Sequence, residues 1–180
     1  PLYQKPDFDA VHDLWDLGFK NVLLVEPTGG GKTVIISKTV AAHKGASVCI
    51  AHRHELVSQI SMALAKCGIY HRIIGGKKTV KWLHFRHEKA FGKSFIDPNA
   101  QAAVASVDTL VSKSTKRNLA AWFPQVTLWV EDEAHHVLKG NKWGNAAELF
   151  PNAKGLGPTA TPLRADGRGL GRSADGIFDA

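Results

Sequence analysis

Cysteine is scarce in this 180-residue chain, which contains only Cys49 and Cys67. Two distant thiols are too few for a disulfide framework, so both are expected to be reduced and buried, as in a reducing compartment. No apolar run approaches the roughly 18 residues of a membrane span, and no basic-then-apolar leader is visible. We therefore expect a soluble, cytoplasmic protein that has no membrane partner.

Acidic residues are also fewer than basic ones, and the formal net charge of +7 suits an anionic partner. The segment 77–93 concentrates basic and aromatic side chains, namely Lys77, Lys78, Lys81, Arg86, Lys89 and Lys93 beside Trp82, Phe85 and Phe91. Such a mixture can bind phosphates and stack on bases. It is equally typical of a solvated loop, and the spacing alone does not decide between the two.

Hydrophobic residues make up 44% of the chain, enough for one domain with a sizeable core. Strand and helix signals alternate, which predicts parallel βαβ units. We expect strands at 22–25, 48–51, 69–74, 102–106, 127–131 and from 154 towards 161. Helices are expected at 32–44, 55–66 and 143–150, together with a first helix that Asp7 caps and Gly18 ends. The predicted fold class is α/β, with a mostly parallel sheet and helices on both faces.

A glycine-rich turn lies between the first strand signal and the second helix signal. It reads Pro-Thr-Gly-Gly-Gly-Lys-Thr over residues 27–33. Backbone amides of such a turn can cradle phosphates, with the Lys32 ammonium on the β/γ oxygens and the Thr33 hydroxyl on Mg²⁺. The helix amino terminus that follows also favours an anion. We predict that ATP is bound by Thr28, Gly29, Gly30, Gly31, Lys32 and Thr33.

A pair of carboxylates follows the apolar run at residues 126–130. Asp132 is predicted to hold the metal together with Thr33, and Glu133 to orient and deprotonate the attacking water. Lys32, Asp132 and Glu133 are therefore the predicted catalytic residues. Together the two motifs indicate hydrolysis of a nucleoside triphosphate.

Five motifs in order resemble those of the superfamily 2 DEAD/DEAH-box helicases. The glycine turn fits their APTGxGKT variant with Glu26 in place of Ala, and residues 132–135 read Asp-Glu-Ala-His, the DEAH box. Residues 51–56 resemble motif Ia, residues 104–110 the nucleic-acid-facing segment that follows it, and residues 159–164 motif III. Residues 2–4 are similar to the start of that group. A carboxylate at Glu26 would repel the triphosphate if it faced the site.

The resemblance implies a RecA-like P-loop NTPase fold, with ATP and Mg²⁺ as cofactors. It implies that Gln4 reads the adenine, that Arg53, Ser106 and Thr109 contact nucleic acid, and that His135, Thr159 and Thr161 couple hydrolysis to domain movement. The histidines at 52, 54, 84 and 87 are expected to be exposed, neutral imidazoles near a phosphate track rather than zinc ligands.

Residues 1–180 cover the motifs of the first motor domain only, so a second RecA-like domain is expected in cis or in trans. The expected activity is that of an ATP-dependent helicase, and DNA is favoured over RNA as the partner. Two alternatives stay open. The domain could be the motor of a restriction or remodelling complex that translocates on duplex DNA without unwinding it, or a non-catalytic module that binds nucleotide or nucleic acid.

Overall fold

Six parallel strands form one sheet in the computed structural model, which describes residues 4–27, 29, 31–161, 163, 169–174 and 176–180. The strands are β1 Asn21–Val25, β2 Ala46–Ala51, β3 His71–Ile74, β4 Ala102–Ser106, β5 Val126–Glu131 and β6 Lys154–Thr159. The helices are α1 Gln4–Asp16, α2 Lys32–Ala42, α3 His54–Lys66, α4 Lys77–Phe91, α5 Val107–Leu110, α6 Lys113–Asn118 and α7 Lys142–Ala147. Short 3-10 turns occupy Phe123–Gln125, Ala134–His136 and Arg172–Ala174.

Side chains of β2 alternate between two separate cores, one on each face of the sheet. Val48 and Ile50 pack on the face that α5, α7 and the segment around Phe178 cover. Cys49 and Ala51 pack on the opposite face, against apolar side chains of α1, α2, α3 and α4. Both faces of the sheet are therefore buried, which confirms the predicted α/β architecture with helices on both sides.

The strand order β1-β6-β5-β2-β4-β3 divides the functional motifs between two halves of the sheet. All strands run parallel, so their carboxyl ends share one edge. The glycine turn, motif III and the DEAH box follow β1, β6 and β5, which are neighbours. Motif Ia follows β2, the 106–110 segment follows β4, and α4 follows β3. These three strands are adjacent in the other half of the sheet. The boundary between the halves lies where β5 pairs with β2.

Several predicted element boundaries were wrong by a few residues. Helix α1 begins at Gln4 rather than at Asp7, because proline is tolerated in the first helical turn. Strand β3 begins at His71 rather than at Ile69, because the Ile69 amide donates to Leu64 O and closes the end of α3. Helices α2 and α7 end earlier than predicted, at 42 and 147, and β6 ends at 159. Strands β2 and β5 begin earlier, at 46 and 126.

The basic segment 77–93 is mainly a helix rather than a loop. Helix α4 runs from Lys77 to Phe91 and ends at Gly92, whose φ of 71° is readily adopted only by glycine. Its buried side chains, Leu83 and His87, are four residues apart and face α3. The prediction missed this helical periodicity, and it also missed the short helices α5 and α6.

His87 was predicted to be exposed, yet it is fully buried together with His71 and Ser61. The Ser61 hydroxyl lies 2.7 Å from His71 Nε2 and 3.0 Å from His87 Nε2. The outer nitrogens are also engaged, with His71 Nδ1 2.9 Å from Ile69 O and the Phe95 amide 3.2 Å from His87 Nδ1. These contacts join α3, β3 and α4 through a continuous hydrogen-bonded row.

The two cysteines differ, since Cys49 is buried as predicted whereas Cys67 is exposed. Burial raises the pKa of the Cys49 thiol to about 12. Cys67 follows the last residue of α3 and lies in the turn that Gly68 completes, which leaves its side chain at the surface. No helix in the described part of the chain is both long and apolar enough to cross a bilayer.

Candidate nucleotide site and nucleic-acid edge

Two glycines of the turn before α2 have left-handed backbone conformations. Gly29 and Gly31 have φ values of 81° and 87°, which side chains with a Cβ rarely adopt. Helix α2 begins directly after Gly31. Thr28 and Gly30, which were predicted to bind ATP, lie outside the described residues.

Lys32 and Glu133 meet although they are 101 residues apart in sequence. The Lys32 Nζ lies 3.5 Å from Glu133 Oε1, and both side chains are largely shielded from solvent. Only β6 separates β1 from β5, so the helix that follows β1 and the turn that follows β5 emerge close together. The structure thus brings the predicted phosphate-binding cation next to the predicted general base.

The DEAH turn holds its two carboxylates in different environments. Glu133 has φ 60° and ψ 49°, the left-handed conformation that is uncommon for residues other than glycine. Its amide donates to Asp132 Oδ1 at 3.0 Å, and the Asp132 amide donates to Ile50 O at 3.1 Å. Asp132 is buried while Glu133 is partly exposed. Burial and the Glu133 carboxylate raise the pKa of Asp132, and Lys32 lowers it.

His135 joins the DEAH turn to motif III. Its Nδ1 lies 3.2 Å from Glu133 Oε2 and 3.2 Å from Thr159 Oγ1. The Thr159 hydroxyl donates to Thr161 O at 3.1 Å and accepts from the Thr161 amide at 3.2 Å. Both neighbours of Nδ1 are therefore acceptors, and His135 carries its proton on Nδ1. The three residues predicted to couple hydrolysis to movement thus form one hydrogen-bonded group with Glu133.

Glu26 contacts α1 through a buried side chain that shares a hydrogen bond with Asp7. Burial, that hydrogen bond and the Asp7 charge raise the pKa of Glu26, and the charge of Lys32 lowers it. The Glu26 backbone amide donates to Thr159 O at 2.8 Å, which ties the end of β1 to the end of β6.

Glu131 is a second acid that sequence reasoning left without a role. It is completely buried, and neither carboxyl oxygen has a hydrogen-bond partner among the described residues. Burial raises its pKa well above the usual value, because desolvation disfavours the charged form.

A row of aromatic rings crosses the boundary between the two halves of the sheet. The ring of His52, at the end of β2, lies 5.1 Å from that of His136, and the His136 ring lies 4.1 Å from that of His135. His136 also stacks on Trp143 of α7 at 5.1 Å. These rings border a cavity of about 330 Å³, lined by His52, Arg53, Glu55, Leu56, Glu133, His135 and His136. The paired histidines at 135–136 were the only sequence signal for this contact.

The residues predicted to face nucleic acid lie at the other half of the same edge. Arg53 precedes α3 and is exposed, and Ser106 precedes α5. Thr109 is half-buried within α5. Gln4 begins α1, but its side chain lies outside the described residues.

The fold and these motifs define a class, the first RecA-like motor domain of a superfamily 2 helicase, which is a helicase-like P-loop NTPase domain. Residues 2–164 match the family described as "Type III restriction enzyme, res subunit", and the chain belongs to this family. Comparison with curated proteins found no match.

Solved structures share the fold at low sequence identity. The UvsW helicase from bacteriophage T4 matches 79% of this chain at 17% identity, with a TM-score of 0.54, over 47% of its own chain. A second T4 UvsW structure matches 79% at 18% identity and TM-score 0.55, over 27% of its chain. The Pyrococcus furiosus Hef helicase domain matches 89% at 23% identity and TM-score 0.59, over 32% of its chain. The chain therefore spans less than half the length of each of these proteins.

Proposed function

We propose that this domain is the ATP-hydrolysing half of a motor that moves along nucleic acid, with DNA favoured over RNA. The carrying observation is the 3.5 Å contact between Lys32 Nζ and Glu133 Oε1. This contact supports the proposal, because hydrolysis needs a phosphate-binding cation and a general base that both reach one γ-phosphoryl group, and these two residues are proposed for those roles. The second RecA-like domain, in cis or in trans, completes the site. The proposed compartment is the cytoplasm.

The described residues fit ATP with Mg²⁺. The amino terminus of α2 favours phosphate oxygens, and the Thr33 hydroxyl has no hydrogen-bond partner in the described part of the chain, so a metal ion can engage it. Asp132 offers a carboxylate at the facing turn, and oxygen ligands of this kind suit Mg²⁺. When bound, Mg²⁺ would neutralise charge on the β/γ oxygens. Gln4 is proposed to read the adenine.

Each side chain then has a separate task. Lys32 binds the β/γ oxygens, which draws its ammonium away from Glu133. Glu133 keeps the hydrogen bond from His135 Nδ1 on one oxygen, while its other oxygen can accept a proton from the attacking water. Hydrogen bonds from His135 to Thr159 and from Thr159 to Thr161 connect Glu133 to the end of β6, so a movement of Glu133 during hydrolysis is transmitted to that strand end.

The family match favours the second candidate function. A member of the restriction-subunit family could translocate on duplex DNA without separating the strands. A strand-displacement assay beside a triplex-displacement assay on the complete motor would distinguish the two. A non-catalytic binding module is the remaining alternative, and the absence of nucleic-acid-stimulated ATPase would favour it.

The decisive experiment compares two variants of the complete motor. Lys32→Ala should weaken ATP binding, because the phosphate charge loses its cation. Glu133→Gln should keep ATP binding but slow turnover by about a hundredfold or more, since a carboxamide cannot accept the water proton. Glu148→Gln, which alters an exposed acid directly after α7, is the matched control. Unchanged steady-state ATPase in Glu133→Gln would refute the proposed site.

A further inference from the structure

The solvent-facing side of α4 carries a stripe of basic and aromatic side chains. Lys78, Lys81, Phe85 and Lys89 are spaced by three or four residues, so they lie along one face of the helix. Trp82 borders this stripe. Phe85 is 60% exposed and Trp82 is 46% exposed, although burial of such rings is normally favourable. We call these five residues the α4 stripe.

The lysines of the α4 stripe are not engaged within the domain. Among the described residues, the ammonium groups of Lys78, Lys81 and Lys89 form no hydrogen bond or ion pair. Two neighbouring cations are engaged, since Arg86 donates to Ser58 Oγ at 2.9 Å and Lys93 lies 4.7 Å above the Phe95 ring. In the described part of the chain the stripe therefore presents three unpaired positive charges around two exposed rings, and the Arg86 guanidinium lies 5.1 Å from the centroid of the Trp82 ring, which leaves the other face of that ring for a base.

The stripe begins at the functional edge of the sheet. Helix α4 follows β3, so its amino terminus lies on the side where β2 and β4 also end. Thr79 Oγ1, in the first turn of α4, lies 3.3 Å from His54 Nδ1 in the first turn of α3. Arg53, which was predicted to contact nucleic acid, directly precedes His54. The α4 stripe thus continues the predicted nucleic-acid edge towards the β3 side of the sheet.

We propose that the α4 stripe is an additional binding site for single-stranded nucleic acid. The lysines bind the phosphates, and Phe85 and Trp82 stack on unpaired bases. The stripe spans roughly 16 Å from Lys78 to Lys89 at the α-helical rise, which is long enough to contact several nucleotides.

Charge and shape select this partner over others. Three lysines outnumber Glu88, the one acid of α4, which is exposed beside the stripe, and this excess of positive charge matches a polyanion. The rings require bases with free faces, and bases inside a duplex are already stacked on one another. The inference rests on the proposed function, because it assigns to the same motor a second contact with its strand.

Binding of a fluorescein-labelled oligothymidylate to the 180-residue chain, without ATP, tests the inference by anisotropy over a salt series. The variant Lys78→Gln/Lys81→Gln/Lys89→Gln should lower the affinity about tenfold or more and reduce the salt slope by about two, since each phosphate contact on a single strand contributes about 0.7. Phe85→Ala should weaken binding by roughly fivefold or more with the salt slope unchanged, because stacking releases no counterions.

The matched control is Lys38→Gln/Lys44→Gln/Lys66→Gln, which removes the same charge from three exposed positions. Lys38 lies on α2, Lys44 follows α2, and Lys66 is the last residue of α3. Equal losses of affinity in the two triple variants would overturn the proposal, because net charge alone would then explain the binding. A blunt duplex that binds as tightly as the single strand, with the same sensitivity to Phe85→Ala, would also overturn it. Unchanged binding in every α4 variant would show that the strand binds elsewhere on the domain and would likewise refute the proposal.

Fluorescence of Trp82 gives a second readout that reports stacking directly. Trp15, Trp122 and Trp129 are buried, whereas Trp143 is half-buried, so the measurement is made with Trp143→Phe as the background. In that background saturating oligothymidylate should quench part of the tryptophan emission, and adding Trp82→Phe should abolish that quenching. Quenching that persists in Trp82→Phe contradicts the stacking. None of these measurements uses ATP, so failure of the proposed hydrolysis leaves their outcome unaffected, and the two failures are distinguishable.

Discussion

Replacing one buried hydroxyl should destabilise the packing of α3 against β3 and α4. In Ser61→Ala the side chain loses the hydroxyl that is hydrogen-bonded to both His71 and His87. The bonded atoms determine each proton position. His71 Nδ1 faces the Ile69 carbonyl and must donate, so its Nε2 accepts from Ser61. His87 Nδ1 accepts from the Phe95 amide, so its Nε2 donates to Ser61.

The magnitude follows from what the substitution leaves behind. Ser61→Ala orphans one buried acceptor on His71 and one buried donor on His87, and neither imidazole can change its tautomer without losing its other bond. An unsatisfied buried polar group costs about 1–3 kcal/mol. We therefore expect a loss of about 2–5 kcal/mol in the free energy of unfolding, a large part of the stability of an ordinary domain.

Urea unfolding at pH 7.5 measures this loss, with Ser37→Ala as the matched control. Ser37 is also buried on a helix, but its hydroxyl donates only to Val34 O of its own helix, so its removal orphans no group. We expect the control to lose less than about 1 kcal/mol. Equal losses in the two variants would refute the hydrogen-bond assignment, and so would a loss below about 1 kcal/mol in Ser61→Ala.

The same row predicts a loss of stability in acid. Burial lowers the pKa of His71 to about 4 and also lowers the pKa of His87. Between pH 6.5 and 4 the unfolded chain binds more protons than the folded one, so these groups destabilise the fold as the pH falls through this range. For His71 a change from 6.5 to about 4 corresponds to about 3 kcal/mol. Nitrogen NMR should show neutral rings at pH 6, protonated on Nδ1 in His71 and on Nε2 in His87. A charged His71 at that pH would contradict the prediction.

Three further outcomes are expected. Gly157→Ala should destabilise the domain by about 1–3 kcal/mol in thermal unfolding, because the added Cβ would collide with the Phe178 ring. The control Gly169→Ala has open space around its Cβ and should not destabilise the domain. Equal shifts of the melting temperature in the two variants would refute this packing. His136→Ala in the complete motor should lower nucleic-acid stimulation of the ATPase while basal turnover is retained, because the His136 ring lies between His52 and the DEAH turn. An unchanged ratio of stimulated to basal turnover would show that His136 does not connect the nucleic-acid edge to the DEAH turn. The 180-residue chain alone should hydrolyse ATP slowly, because related phosphoryl-transfer sites need an arginine from outside the nucleotide half. Joining the chain to its second RecA-like domain should raise nucleic-acid-stimulated turnover about a thousandfold or more. Fast turnover of the chain alone would contradict the two-domain proposal.

Local chemistry made much of the fold predictable. A glycine turn between a short apolar strand and a helix, and an apolar run that ends in two carboxylates, each have a characteristic residue pattern over a few positions. The alternation of such segments predicted a parallel sheet with helices on both faces, and the structure has this architecture. The secondary structure of segment 77–93 was harder to predict. The buried face of its helix includes His87, and this polar residue interrupts the apolar spacing that indicates a helix.

The sequence by itself determined the motifs and their order, because each depends on residues that are neighbours in the chain. Tertiary structure decided which distant groups meet. Only the order of the strands brings Lys32 to Glu133 and His52 to His136. The packing of α1 brings Asp7 to Glu26, and the partners that let His87 be buried are the Ser61 hydroxyl of α3 and the Phe95 amide, which follows α4. The physical reason is that desolvating a polar side chain is unfavourable unless another segment supplies its partner, and local periodicity carries no information about that segment.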